Sequence, residues 1–158
     1  MTIPSAIQDL YHESAAHCYG CGRMNEAGLQ LKSYWEGDEV VARFRPRPEH
    51  MALPGFVYGG LLASLIDCHA MATAAATAER AAGHEVGMAP PRFVTAALRV
   101  DYLQPTPLGT ELVLRARVAE TGRRKMVVRA SVFAGPSETA RGEVVAVPMP
   151  DSMGVNPR

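Results

Sequence analysis

The stretch from Leu61 to Ala78 constrains this chain more than any other part of it. Alanine is its commonest residue, leucine, isoleucine and methionine add five more, and Asp67 and His69 interrupt its middle. Alanine and leucine are strong helix formers, so the pattern predicts one long helix from about Tyr58 to Ala81, with Gly83 as its stop signal. A membrane span needs about 20 strongly apolar residues with few or no charges, which the Asp67–His69 interruption argues against. A buried helix in a soluble domain fits better. A helix apolar on all sides must be covered on most of them, so the rest of the chain has to wrap around it.

The flanking segments read as strands. Gln30 to Trp35 and Glu39 to Phe44 precede the helix, with Gly37-Asp38 between them as a hairpin signal. In the second, Val40, Ala42 and Phe44 alternate with Val41 and Arg43. Arg45-Pro46-Arg47-Pro48 ends that strand, because proline cannot donate to the ladder. After a Gly- and Pro-rich loop at 82–92 come four more runs: Phe93 to Leu103, Glu111 to Ala119, Met126 to Phe133 and Gly142 to Val147. Gly109, Gly122 and Gly135-Pro136 separate them. The expected fold is α+β: an antiparallel sheet of about five to six strands wrapped around one central helix.

The chain of 158 residues suits one domain. Its organisation reads as a lead-in over 1–28, a domain over 29–148, and a disordered tail over 149–158. Sixteen basic residues balance sixteen acidic ones, so no nucleic-acid footprint is expected. Three cysteines do not make a disulfide framework, and with no basic and apolar leader in the first residues a cytoplasmic, non-membrane protein is expected.

Three segments carry a resemblance. They are His17-Cys18-Tyr19-Gly20-Cys21-Gly22 with Gly28-Leu29; Pro54-Gly55-Phe56-Val57-Tyr58-Gly59-Gly60 running through Leu61 to Asp67; and Val100-Asp101-Tyr102-Leu103-Gln104-Pro105 with Pro107-Leu108-Gly109. In this order they resemble the PaaI-like hotdog-fold thioesterases, from about His17 to Val147. The resemblance implies a hotdog fold, an acyl-CoA substrate, hydrolysis of its thioester to free acid and CoA, and no metal or organic cofactor. Where that family reads His-Gly-Gly, this chain has Tyr58-Gly59-Gly60, and the loop before it offers His50, Met51 and Ala52 in place of the family's asparagine.

Thioester hydrolysis needs a polarised carbonyl and a base or nucleophile. A helix N-terminus presents free N–H groups and about half a positive charge, which suits a developing oxyanion. Glycine pairs also start ordinary helices; the resemblance assigns the Gly60 N–H as oxyanion donor and Gly59 to the turn at the substrate. Asp67 is the only carboxylate between Tyr58 and Ala78. An unpaired buried aspartate is costly, so it is either paired, for instance with Arg92 or Arg99, or functional. The resemblance places the catalytic carboxylate here, as general base or nucleophile.

At about 1.5 Å per residue, Gly59 and Asp67 lie about 12 Å apart along one helix, too far to act on one carbonyl. If both act, the carboxylate comes from another subunit. A two-fold dimer, or a dimer of dimers, with sites at the interface is therefore expected, as the resemblance also implies.

Other candidates are weaker. Thr95 stands where relatives carry serine or threonine and can hold the attacking water, or is simply a strand former. Tyr58 can donate a hydrogen bond, but a tyrosine does not shuttle protons near neutrality as histidine does. His50 belongs to the site mouth or to solvent, and Ser64 either bonds to Asp67 or packs as a small core residue. His69 points to a different helix face from Asp67 and reads as core or interface. Arg123 and Arg124 lie in a basic turn that can meet CoA phosphates. Cys18 and Cys21 form a single C-x-x-C, read as a structural turn without metal. Two rival functions remain open: a non-catalytic acyl-CoA binder, suggested by Tyr58, and a hotdog enoyl-CoA hydratase or dehydratase, for which His50 ahead of Pro54-Gly55 has the wrong spacing.

Overall fold

A computed structural model describes residues 4–83 and 88–154. Six strands, β1 (Ser33–Glu36), β2 (Glu39–Phe44), β3 (Phe93–Tyr102), β4 (Leu112–Thr121), β5 (Met126–Ala134) and β6 (Ser137–Pro148), form one antiparallel sheet. Its order is β1-β2-β4-β5-β6-β3. One helix, α1 (Gly59–Ala82), lies in the concavity of the sheet. This is the hotdog arrangement expected from the sequence.

The helix reads in the structure as it does in the sequence. By length and composition α1 could cross a membrane, with a mean hydropathy of 1.3, yet 72% of its most apolar window is buried inside the domain. Leu65, Ile66, Ala70, Ala72, Ala74 and Ala75 are all inaccessible to solvent. Each fully buried Leu or Ile contributes about 1.5–3 kcal/mol. Against them pack Leu112, Leu114 and Ala116 of β4, with Val128, Ala130 and Val132 of β5, each the inward half of an alternating strand. Gly83 ends α1 in the left-handed region at φ 67°. The helix packs tightly on the sheet at Gly142, where a Cβ would lie 2.5 Å from Cγ2 of Ile66.

Three expectations are corrected. The first strand begins at Ser33, because Gln30 adopts φ 52° and breaks the extended run; its amide Nε2 donates to the carbonyls of Arg23 and Asn25 instead. The last strand begins at Ser137, five positions before Gly142, because its polar front already pairs with β5 from Ala134↔Ser137, with a register shift at Thr139. Beyond Pro148 the chain is ordered for a few residues: Met149 N–H donates to Arg92 O, and Asp151–Met153 form a 3-10 turn. Residues 155–158 of the tail and 84–87 of the 82–92 loop lie outside the described residues.

The lead-in is part of the core. Ala6, Ile7, Tyr11, Ala16 and Cys21 are buried. Gln8, 1% exposed, bonds Ser33 twice, and Ser33 Oγ bonds His69 Nδ1 at 2.9 Å. His69 Nε2 in turn donates to Val40 O at 3.0 Å. The chain Gln8–Ser33–His69–Val40 ties the lead-in, β1, α1 and β2 together with every polar atom partnered, which is the condition for burying such groups. His69 is the core residue its helix face implied; burial lowers its pKa to about 4, so it is neutral.

Candidate active site

Asp67 is half-buried on α1, and its carboxylate accepts a hydrogen bond from Thr95 Oγ1 of β3. A β-bulge produces this meeting. Thr95 pairs with Ala146, and the next pair is Ala97 with Val145, so Ala96 is the extra residue. Bulges re-aim side chains. Burial raises the pKa of Asp67, while the bond from Thr95 opposes that rise. Neither arginine considered as a partner pairs with it directly. Arg99 bonds Asp101, and Arg92 stacks over the Tyr11 ring at 4.3 Å, acting on Asp67 only through its charge.

The N-terminus of α1 is held by three neighbours. Tyr58 N–H donates to His50 O, Val57 N–H to Thr106 O, and Tyr102 Oη to Gly59 O at 2.8 Å. The first N–H of this end to find a carbonyl is that of Leu61, on Tyr58 O. Gly59 and Gly60 precede it, where a helix offers no internal acceptor. Their lack of side chains is used. A Cβ on Gly60 would lie 2.4 Å from the Tyr58 ring, and one on Gly59 would lie 3.3 Å from the Tyr102 ring. Tyr58 is 57% and Tyr102 54% exposed, so two phenol rings flank the glycine pair at the surface. Tyr102 was not singled out in the sequence; its position at the end of the strand after the helix, opposite a glycine pair, was the available signal.

Other candidates fall elsewhere. Ser64 does not bond Asp67; its hydroxyl donates to Gly60 O at 2.8 Å, as serine does within helices. The His50 ring accepts from Arg47 N–H at 2.9 Å and lies beside Phe44, so only its backbone reaches the helix start. Burial and Arg47 lower its pKa. Arg123 and Arg124 are exposed. Their turn follows the Thr121↔Met126 pair, and Ala146 pairs with both Met126 and Thr95. The basic turn thus lies at the Asp67 end of the sheet, two strands over, and not at the glycine end.

Beside Asp67 the fold assembles a feature that the C-x-x-C alone did not reveal. Cys68, buried on α1, joins Cys18 and Cys21, and the three Sγ atoms lie within 4.8 Å of one another. Cys18 is half-buried and the other two are buried. Hydrogen bonds from Cys21 and Cys68 hold the Cys18 thiol far below the usual range, and the bond to Cys18 pushes Cys21 up to about 11 against an opposing bond from Cys68.

The profile of the thioesterase superfamily matches residues 54–141. A thioesterase superfamily protein of Shewanella loihica PV-4 is 48% identical, with a TM-score of 0.69 over 90% of this chain and 99% of that one. The PaaI protein of E. coli, from the phenylacetic acid degradation operon, shares the fold at 16% identity, with a TM-score of 0.63 over 77% of this chain and 81% of that one. The acyl-coenzyme A thioesterase THEM4 of Xenopus laevis is 29% identical over 108 residues, 68% of this chain. The chain spans 43% of the length of that curated relative.

Proposed function

The chain belongs to the thioesterase superfamily, and on that premise we propose that it hydrolyses acyl-CoA thioesters with Asp67 as the general base. The observation that carries this is the isolation of Asp67. It is the one carboxylate in the buried part of α1, it is half-buried, and its hydrogen bond from Thr95 occupies Oδ1 and leaves Oδ2 for water. In the proposed step Oδ2 takes a proton from water, the hydroxyl oxygen bonds to the thioester carbon, and the C–S bond breaks to release CoA thiolate. The Gly60 N–H, at the positive end of α1, stabilises the oxyanion in between.

Asp67 and Gly60 of one chain sit too far apart along α1 to share a carbonyl, so the site is completed by a second copy. Support for that copy comes from β3, a ten-residue strand at the edge of the sheet. Its outer edge has no strand partner among the described residues, and Ala96, Ala97, Leu98 and Tyr102 are exposed along it. An unpaired edge strand presents free N–H and C=O groups that template pairing with another chain. Pairing β3 with β3 of a two-fold mate covers the edge and generates two equivalent sites.

Release of free thiol from a panel of short, long and aryl acyl-CoAs tests the proposal. Wild type should turn over at least one class, and Asp67→Asn should lose at least about 100-fold in kcat. Near-normal turnover by Asp67→Asn defeats the assignment. An inert wild type that still binds CoA esters establishes the binder, a reading that Tyr58 in the place of the family's histidine favours. A first turnover in oxygen-18 water should label the acid; an unlabelled first product would make Asp67 the nucleophile.

A further inference from the structure

We propose that Cys18, Cys21 and Cys68 form a binding site for a thiophilic divalent cation, zinc foremost, that fastens the lead-in to α1 beside Asp67. The sulfur spacing argues for it. Tetrahedral zinc with Zn–S of about 2.3 Å sets neighbouring sulfurs about 3.8 Å apart. Cys18 Sγ and Cys68 Sγ are 3.7 Å apart, and Cys21 Sγ completes a set within 4.8 Å. A disulfide would need about 2.05 Å.

The surroundings are built to hold the three sulfurs together. Gly20 must be glycine, since a Cβ there would lie 2.3 Å from Cys68 Sγ. Gly22 is equally confined, because its Cβ would meet Ala16 O and Cys18 N at 2.5 Å. Its N–H donates to Cys18 O at 2.7 Å, closing the loop on itself. Leu29 and Leu31 donate to Tyr19 O and Gly20 O, which pins the loop to the segment leading into β1.

Charge also balances. Three thiolates and one divalent cation leave one negative charge, and Arg92 brings one positive charge close enough to act on Cys18 and Cys21. Tyr11, 4% exposed, lies under Arg92, whose guanidinium stands 4.3 Å from its ring. The accessible side of the cluster is at Cys18, which is where a fourth, exogenous ligand would enter.

The test uses the intact protein, purified under reducing conditions and reconstituted with Zn²⁺ or Co²⁺ alone. The expected result is one metal ion per chain after dialysis against a weak chelator. The Co²⁺ form should show sulfur-to-cobalt charge transfer and the intense visible absorption of a tetrahedral site. Cys18→Ser, whose side chain is half-buried, should fold and weaken metal binding at least about 100-fold. Cys21→Ser should do the same, and metal should raise the thermal midpoint of wild type only. Substoichiometric metal in the reduced wild type, or full retention in Cys18→Ser/Cys21→Ser, overturns the proposal. So does a Cys18–Cys21 or Cys18–Cys68 disulfide in a protein that takes up no zinc when reduced.

Discussion

Thr95 Oγ1 on β3 donates a hydrogen bond to the carboxylate of Asp67 on α1. It joins an edge strand of the sheet to the one acidic group in the buried part of the helix. The bond stabilises the ionised carboxylate against the burial that raises its pKa. A general base must be ionised to act. Thr95→Ala should therefore shift the acidic limb of the kcat/KM profile to higher pH, and Thr95→Ser should restore it. An acidic limb that stays in place in Thr95→Ala would show that the bond does not tune Asp67.

A site shared between two chains predicts complementation. Asp67→Asn and Gly60→Pro, which removes the proposed oxyanion N–H within the first turn of α1, each inactive alone, should regain activity when unfolded together and refolded. Random pairing makes half the dimers mixed, each with one intact site, so about a quarter of wild-type activity is expected. No recovery, with mixed dimers demonstrated by mass, would place both groups of each site on one chain.

The Tyr58 ring lies over Gly60, and an added Cβ would meet it at 2.4 Å. Because Tyr58 is more than half exposed, Gly60→Ala should swing the ring outward without unfolding the domain. A drop in kcat of about 10-fold is expected. Combined with Tyr58→Ala, the losses should be clearly less than additive, since both changes remove the same ring from the same place. Full additivity would mean that Tyr58 contributes nothing through this contact.

His69 should make the fold acid-sensitive. Its folded-state pKa is about 4 against an ordinary 6.5, so the unfolded chain binds the extra proton between these values. Stability contributed by neutral His69 is complete above pH 6.5 and falls as pH drops toward 4, by up to about 3 kcal/mol. Urea midpoints of wild type and His69→Asn, compared from pH 7.5 to 4.5, should converge on acidification. Parallel curves would exclude His69 as the source.

Much of the fold was legible because its signals are local. The helix start and end, the Gly37-Asp38 hairpin and the inward faces of β2 and β4 follow from propensity and period. The front of β6 was not, because Ser137-Glu138-Thr139-Ala140-Arg141 has no large apolar residue to mark alternation. Asp67 and the glycine pair stood out against an apolar helix. What puts Thr95 on Asp67 is a bulge at Ala96, and no single residue announces a bulge. Of the two readings of Ser64, only the bond to Asp67 fails, because a serine inside a helix can turn back to its own carbonyls, a choice invisible in spacing. The meeting of Cys68 with the C-x-x-C depends on how the lead-in docks, which is a property of the packed chain.

The bonds His69 makes to Ser33 and Val40 also have a consequence for aim. From Ala70 to Ala78 the helix is mostly alanine, and small side chains there do little to resist rotation about the axis. Two fixed bonds from one imidazole index the helix like a key in a slot. One residue of slippage would turn α1 by about 100° and break both. Asp67, two positions earlier, inherits its heading from that key, so the residue that orients the carboxylate toward β3 is one that never touches it.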